Sequence, residues 1–150
     1  MTQTNNERNL ADLATASPEQ LAEFTSIGFD SVIGFRYTEI TADGLKAELT
    51  INPTLHQPHG IVHGGVYCSV IESVASASAA VWLGGEGRVV GVNNNTDFLR
   101  AISSGKVFAQ SFPIHRGRSQ QLWRVVITDE QDRTIAQGQV RLANLSDRKE

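Results

Sequence analysis

The sequence predicts an α+β domain, and two observations predict it: one long apolar helix, and strand-like alternation on both sides of it. From Gly64 through Gly85 the one charged residue is Glu72; the others are Gly, Ala, Ser, Cys, Tyr, Trp or aliphatic side chains. That composition reads as a helix buried over most of its circumference. Leu45, Ala47, Leu49 and Ile51 alternate with Lys46, Glu48 and Thr50, the pattern of a half-buried strand. At 150 residues the chain fits a single domain, 1–150, with a core large enough to fold without staples.

Taken in order, residues 1–9 are polar, and they and the charged tail 146–150 are expected to be disordered. Ser17-Pro18-Glu19-Gln20 sets a serine at the N-cap, proline at the first helical position and glutamine at the third. This capping box predicts a short helix through about Phe24. Gly28 and Phe29 to Gly34 then lead into the sheet. Phe35 to Glu39 is expected to pair with the Leu45 strand across the turn Thr41-Ala42-Asp43-Gly44. Residues 52–62 contain Pro and Gly and read as a loop. After Gly84-Gly85-Glu86-Gly87 ends the long helix, Arg88 to Asn95, Lys106 to His115, Gln121 to Thr128 and Thr134 to Leu142 read as four more strands. The last two are joined by a hairpin loop at 129–133. No internal repeat or low-complexity tract interrupts the pattern.

Composition excludes several classes. A net charge of −3 without a basic run argues against a general nucleic-acid binder. Cys68 is the single cysteine, so there is no intrachain disulfide framework. The N-terminus has no apolar core and does not read as a secretory signal. The apolar run after His63 resembles a membrane span in length, but Glu72 in its middle and six Ser, Cys or Tyr residues favour a core helix. The expectation is a cytoplasmic protein with neither membrane nor nucleic acid as partner.

Glu72 is the residue that needs explaining, because an isolated carboxylate in an apolar helix is costly unless hydrogen-bonded or kept for chemistry. Helical spacing puts Gly65, Cys68, Ser69 and Ser76 on its side. Gly64 and Gly65 open the helix, where backbone N–H groups are unpaired and the dipole is positive. A carbonyl oxygen gaining negative charge is stabilised at such a start, with Glu72 two turns away on the same side. The plain alternative is a structural carboxylate held by serine hydroxyls and backbone N–H groups.

The stretch Gln57-x-x-Gly60-x-x-His63-Gly64-Gly65, followed by Glu72 and Ser76, resembles the hotdog-fold acyl-CoA thioesterases. The similarity is to the branch holding 4-hydroxybenzoyl-CoA, 1,4-dihydroxy-2-naphthoyl-CoA and phenylacetate-pathway thioesterases, and it runs from about Phe35 to Leu145. The resemblance implies an antiparallel sheet wrapped around one central helix, an arrangement that pattern alone does not select. It implies that Glu72 hydrolyses an aromatic or medium-sized acyl-CoA as nucleophile or general base. The Gly64 N–H would polarise the thioester carbonyl, with Gln57 orienting water or the carbonyl. His63 would assist the leaving thiolate, although a histidine at a helix start more often makes a structural hydrogen bond, and Ser76 would hold water or the carboxylate. It further implies that His115-Arg116-Gly117-Arg118-Ser119-Gln120 receives the phosphate-bearing part of CoA, guanidinium forks being suited to phosphate. Gly91 and Phe98-Leu99-Arg100-Ala101 align with the substrate channel. The sequence departs from its relatives at Phe98, where they carry histidine, and an apolar ring cannot donate that hydrogen bond. The family assembles as homodimers, often homotetramers, with active sites at the subunit boundary, and uses no cofactor.

Other chemistries fit less well. His56, His59 and His63 share a loop, but no second ligand cluster stands at zinc-like spacing. No G-x-S-x-G accompanies a candidate serine. A non-catalytic acyl-CoA-binding module of the same fold is the main alternative, and a hydratase is the third.

Overall fold

A computed structural model describes residues 9–146. Residues 1–8 and 147–150, most of the expected disordered tails, lie outside the described residues; Asn9 caps a 3-10 turn, Leu10–Thr15, by accepting from the Ala11 N–H. Helix α1 (Pro18–Phe24) carries the predicted capping box, with Ser17 and Gln20 bonded to each other's backbone N–H. A further short helix, α2 (Gly28–Ile33), stands where only a connection was expected. It starts from Ile27 without a side-chain cap, so its beginning carries no polar start signal, and it stops at Gly34 in the left-handed region.

Strands β1 (Arg36–Thr41) and β2 (Gly44–Thr50) form the first hairpin, the long helix α3 spans Gly64–Leu83, and β3 (Arg88–Phe98), β4 (Lys106–Arg116), β5 (Gln120–Asp129) and β6 (Thr134–Leu145) follow. The six strands make one antiparallel sheet in the order β1-β2-β4-β5-β6-β3. The first strand after the helix thus runs to the far edge, and β4 returns beside β2. This is the hotdog arrangement, an antiparallel sheet around one helix.

The helix is the core rather than a membrane span: Val70, Ile71, Val74, Ala75, Ala77 and Ala79 are all at most 2% exposed against the concave face. Small residues on α3 let the sheet close tightly on it. Opposite them stand Leu45, Val107, Trp123, Val125, Ile127, Val140 and Leu142, the inward positions of four strands. The buried polar side chains between α3 and the sheet centre, Ser78, Ser111 and Gln121, are paired. Ser78 donates to the Val74 carbonyl and shares a 2.7 Å hydrogen bond with Ser111, whose hydroxyl accepts from the Leu45 N–H. Fully buried Gln121 accepts from the Trp123 indole and donates to Ala79 O and Asn144 Oδ1. Such satisfaction matters because a buried unpaired amide costs about 1–3 kcal/mol.

Strand β3 runs three residues past the expected Asn95, since Thr96, Asp97 and Phe98 still pair with Gly138, Gln137 and Ala136. A bulge between Gly91 and Asn93 keeps Gly91, Asn94 and Thr96 facing the helix. It is an edge strand, with Val90 and Val92 exposed.

Helix α2 is tied to α3 through Asp30, whose Oδ1 accepts from Ser73 Oγ at 2.7 Å. Burial raises the Asp30 carboxyl above its ordinary value, and the Ser73 hydrogen bond opposes this. The folded chain therefore holds that proton more tightly than the unfolded chain. Stability falls as pH rises through the carboxylate range, and the penalty is absent below it. Asp30→Asn keeps the acceptor and is expected to raise the Tm at neutral pH. At about pH 3, below the ordinary Asp value, thermal denaturation should find the variant and parent alike.

Candidate active site

Glu72 sits midway along α3, on the side that meets β3. The amide of Asn94 donates to Glu72 Oε2 at 3.0 Å and to the Cys68 carbonyl at 3.1 Å. Thr96 Oγ1 donates to Asn94 Oδ1 at 2.7 Å. The other carboxylate oxygen, Oε1, lies directly over Gly91, where an added Cβ would overlap it. Among the described residues Oε1 accepts no hydrogen bond. Gly91, expected to line a substrate channel, makes the space the carboxylate occupies. Asn94 went unnoticed in the sequence because one asparagine in the run Asn93-Asn94-Asn95 carries no signal without knowing which side chain faces in.

A second cluster gathers at the start of α3. His63 is the N-cap, and its Nδ1 accepts from the Gly65 N–H at 2.8 Å. That use of the lone pair puts the neutral ring's proton on Nε2. The Gly64 N–H has no partner among the described residues, so the helix start keeps one donor free. Gln57 Oε1 accepts from the His59 N–H, which turns its Nε2 donors outward. Gln57 and Gly64 line a cavity of about 300 Å³ with Ile61, Tyr67, Phe98 and Leu99. Arg100 and Ala101 complete the rim. The Phe98 ring packs on Gly64, 2.7 Å from where a Cβ would stand, and tilts against the Tyr67 ring at 6.3 Å. Tyr67 is 3% exposed, its hydroxyl unpartnered among the described residues and pushed up to about 12 by burial. A neutral phenol beside an apolar cavity is a second group that sequence reading missed, hidden as one more large residue of a buried helix.

Ser76 lies one turn beyond Glu72, and its hydroxyl makes no hydrogen bond among the described residues. The two clusters do not meet within one chain. Gly64 and Glu72 are eight residues apart on one helix, a rise of about 12 Å at 1.5 Å per residue. Gly64 lines the cavity with Gln57 and Phe98, and the Glu72 carboxylate packs on Gly91 and Asn94.

The hairpin His115–Gln120 is further away, at the C-terminal end of α3. Arg116 stacks over Trp82 and Trp123 and donates to Asp43 Oδ1 at 2.8 Å and to Ala42 O at 3.2 Å. Its guanidinium braces the β1–β2 turn instead of standing free for phosphate. Arg118 and Ser119 are exposed. The His115 ring folds over Gly117. On the outer face of the sheet His115 and Gln120 border a groove of about 470 Å³ with Asn93, Asn95, Gln139 and Arg141. The loop histidines diverge: His56 Nε2 pairs with Ser103 O while His63 caps α3. Among the described residues no three His, Cys, Asp or Glu side chains gather as a metal site would require.

The sequence profile of the Thioesterase superfamily matches residues 59–136. A Mycobacterium tuberculosis protein, Rv1847, whose name proposes an esterase, is 54% identical over 136 residues, 88% of this chain and 97% of that one. The proofreading thioesterase EntH of Klebsiella pneumoniae is 39% identical over 103 residues, 67% of this chain and 74% of its own. The crystal structure of Haemophilus influenzae thioesterase HI1161 superposes with a TM-score of 0.82 at 28% identity, covering 87% of this chain and 92% of that one.

The seat over Gly91 is open to test. A methyl group there meets only the far end of a flexible side chain. Gly91→Ala is therefore expected to leave the Tm within a few degrees of the parent while its crystal structure shows the Glu72 carboxylate swung off Asn94. A carboxylate still bonded to Asn94 in the variant would contradict this packing.

Proposed function

The chain belongs to the thioesterase superfamily and is a thioester hydrolase, and from that premise we propose that it cleaves an aromatic or medium-sized acyl-CoA to the free acid and CoA. The observation that carries the reading is the Glu72 carboxylate, fixed through one oxygen by Asn94 with its other oxygen unbonded. A carboxylate so held attacks the thioester carbonyl to give an anhydride, or takes a proton from the attacking water. The unpaired Gly64 N–H supports the partner role: it is a donor, at the positive end of a helix, for the oxygen that becomes negative in the tetrahedral intermediate. The outward Nε2 of Gln57 is placed to hold that oxygen or the water. His63 serves as the cap that frees Gly64 by occupying Gly65.

The acyl group belongs in the cavity beside Gly64. Ile61, Phe98 and Leu99 give it apolar walls, and Phe98 offers a ring face to a flat acyl group. On the phosphate side, Arg118 and Ser119 are the accessible members of the hairpin, with Arg116 bracing it. No metal or redox cofactor enters this chemistry.

Gly64 and Glu72 stand about 12 Å apart along one helix, and the reading takes a homodimer in which one subunit supplies Glu72 and its partner the Gly64 cluster. Edge strand β3 supports that assembly: its outer backbone groups are unpaired by the sheet, Val90 and Val92 are exposed beside it, and Glu72 lies just inside. A homotetramer would add a second contact.

Two experiments test this. Purified protein is assayed with benzoyl-, phenylacetyl-, naphthoyl- and fatty acyl-CoA and a thiol reagent; release of CoA from an aromatic or medium-chain member is expected. Silence across the panel would overturn the reading, and tight binding without turnover would favour the non-catalytic module. Sedimentation at micromolar concentration should show a dimer or larger species, and an active monomer would contradict the shared site.

A further inference from the structure

We propose that Asn94 is a positioning residue that selects which oxygen of Glu72 reacts, an inference that rests on the hydrolytic reading of Glu72. Three contacts carry it. The amide faces two oxygens that can only accept, Glu72 Oε2 and the Cys68 carbonyl, so its NH₂ points to the helix and a flip would lose both bonds, while Thr96 Oγ1 donates to Asn94 Oδ1 from behind. The NH₂ then donates to Glu72 Oε2 and to Cys68 O, the carbonyl one helical turn before Glu72, which pins the amide to the helix as well as to the carboxylate. Glu72 Oε1 is pressed over Gly91 with no donor among the described residues.

The two oxygens are thus made unequal. Oε2 spends a lone pair on a fixed amide, and Oε1 keeps both. A nucleophile or base must hold its reacting lone pair toward the carbonyl or water, and a freely rotating carboxylate presents it only part of the time. Asn94 fixes the rotation from the strand side, touching neither substrate nor reacting atom. Thr96 stands behind it, seated against the Cα of Gly138 on β6. A neutral donor suits the task, since lysine or arginine at this place would neutralise the carboxylate it holds.

Asn94→Leu keeps the side-chain shape and removes the donor, and Asn94→Ala removes the donor with the rest of the side chain. Each is expected to lower kcat about 10- to 100-fold, the scale of a slightly misplaced catalytic group, with KM little changed because no substrate contact is lost. The decisive comparison is a double-mutant cycle. In a Glu72→Gln background, Asn94→Leu should cost nothing further, because its effect passes through the carboxylate. Losses that multiply, or a kcat in either single variant within about twofold of the parent, would overturn the proposal. Glu72→Gln alone reports on the hydrolytic reading, so parental turnover in that variant is a failure of the reading and not of the positioning. A measurement independent of turnover completes the test. In ¹⁵N-labelled protein the Asn94 side-chain amide proton should move upfield when Glu72 becomes Gln, and an unmoved resonance would show that the amide does not hold the carboxylate.

Discussion

The structure depends on one constraint: a carboxylate has to be accommodated in a helix that is otherwise apolar. Burying Glu72 unpaired would cost several kcal/mol or force it to neutralise. It is instead lodged at the boundary between α3 and β3, half-buried, with an amide on one oxygen and a glycine under the other. Much of the local architecture follows. β3 must approach the helix closely at Gly91, it must carry an inward polar residue at Asn94, and the bulge between Gly91 and Asn93 sets both on the inner face.

The same constraint bears on the proposed assembly. Helix α3 is wrapped by the sheet along its Val70, Val74, Ala77 face, but the stripe through Gly65, Cys68, Glu72 and Ser76 is only half-covered. The edge strand beside that stripe pairs with β6 on one side and has no strand on its outer side among the described residues. In the proposed reading a single subunit holds two halves of a site about 12 Å apart along one helix, and a second subunit on the uncovered stripe and the open edge would join them.

The sheet and the long helix were legible in the sequence because both rest on periodicity. Leu45 to Ile51 alternates cleanly, and the helix is bounded by glycines at both ends. Helix α2 was not legible, since it begins at Ile27 without a capping side chain and its apolar residues Phe29 and Val32 face out, 64% and 70% exposed. Glu72, Gly64 and Gln57 could be picked out because a lone charge, a helix-opening glycine pair and their spacing are visible one residue at a time. Asn94 and Tyr67 could not, because their roles depend on which face of a strand or helix packs on what. Arg116 shows the converse. Its residue type matched phosphate binding, yet Trp82, Trp123 and Asp43, scattered across the sequence, claim its guanidinium.

The central claim is that the Glu72 carboxylate does chemistry and is not merely a satisfied buried charge. The most direct measurement is kcat for Glu72→Gln on the best acyl-CoA of the panel, read together with its melting temperature. Gln keeps the volume and can still accept from Asn94, so the fold should survive with a Tm equal to or above that of the parent. Turnover should fall by at least ~10²-fold, the scale of losing a positioned base, and further if the carboxylate attacks directly. Parental turnover with a shifted melting temperature would mark Glu72 as structural and contradict the account.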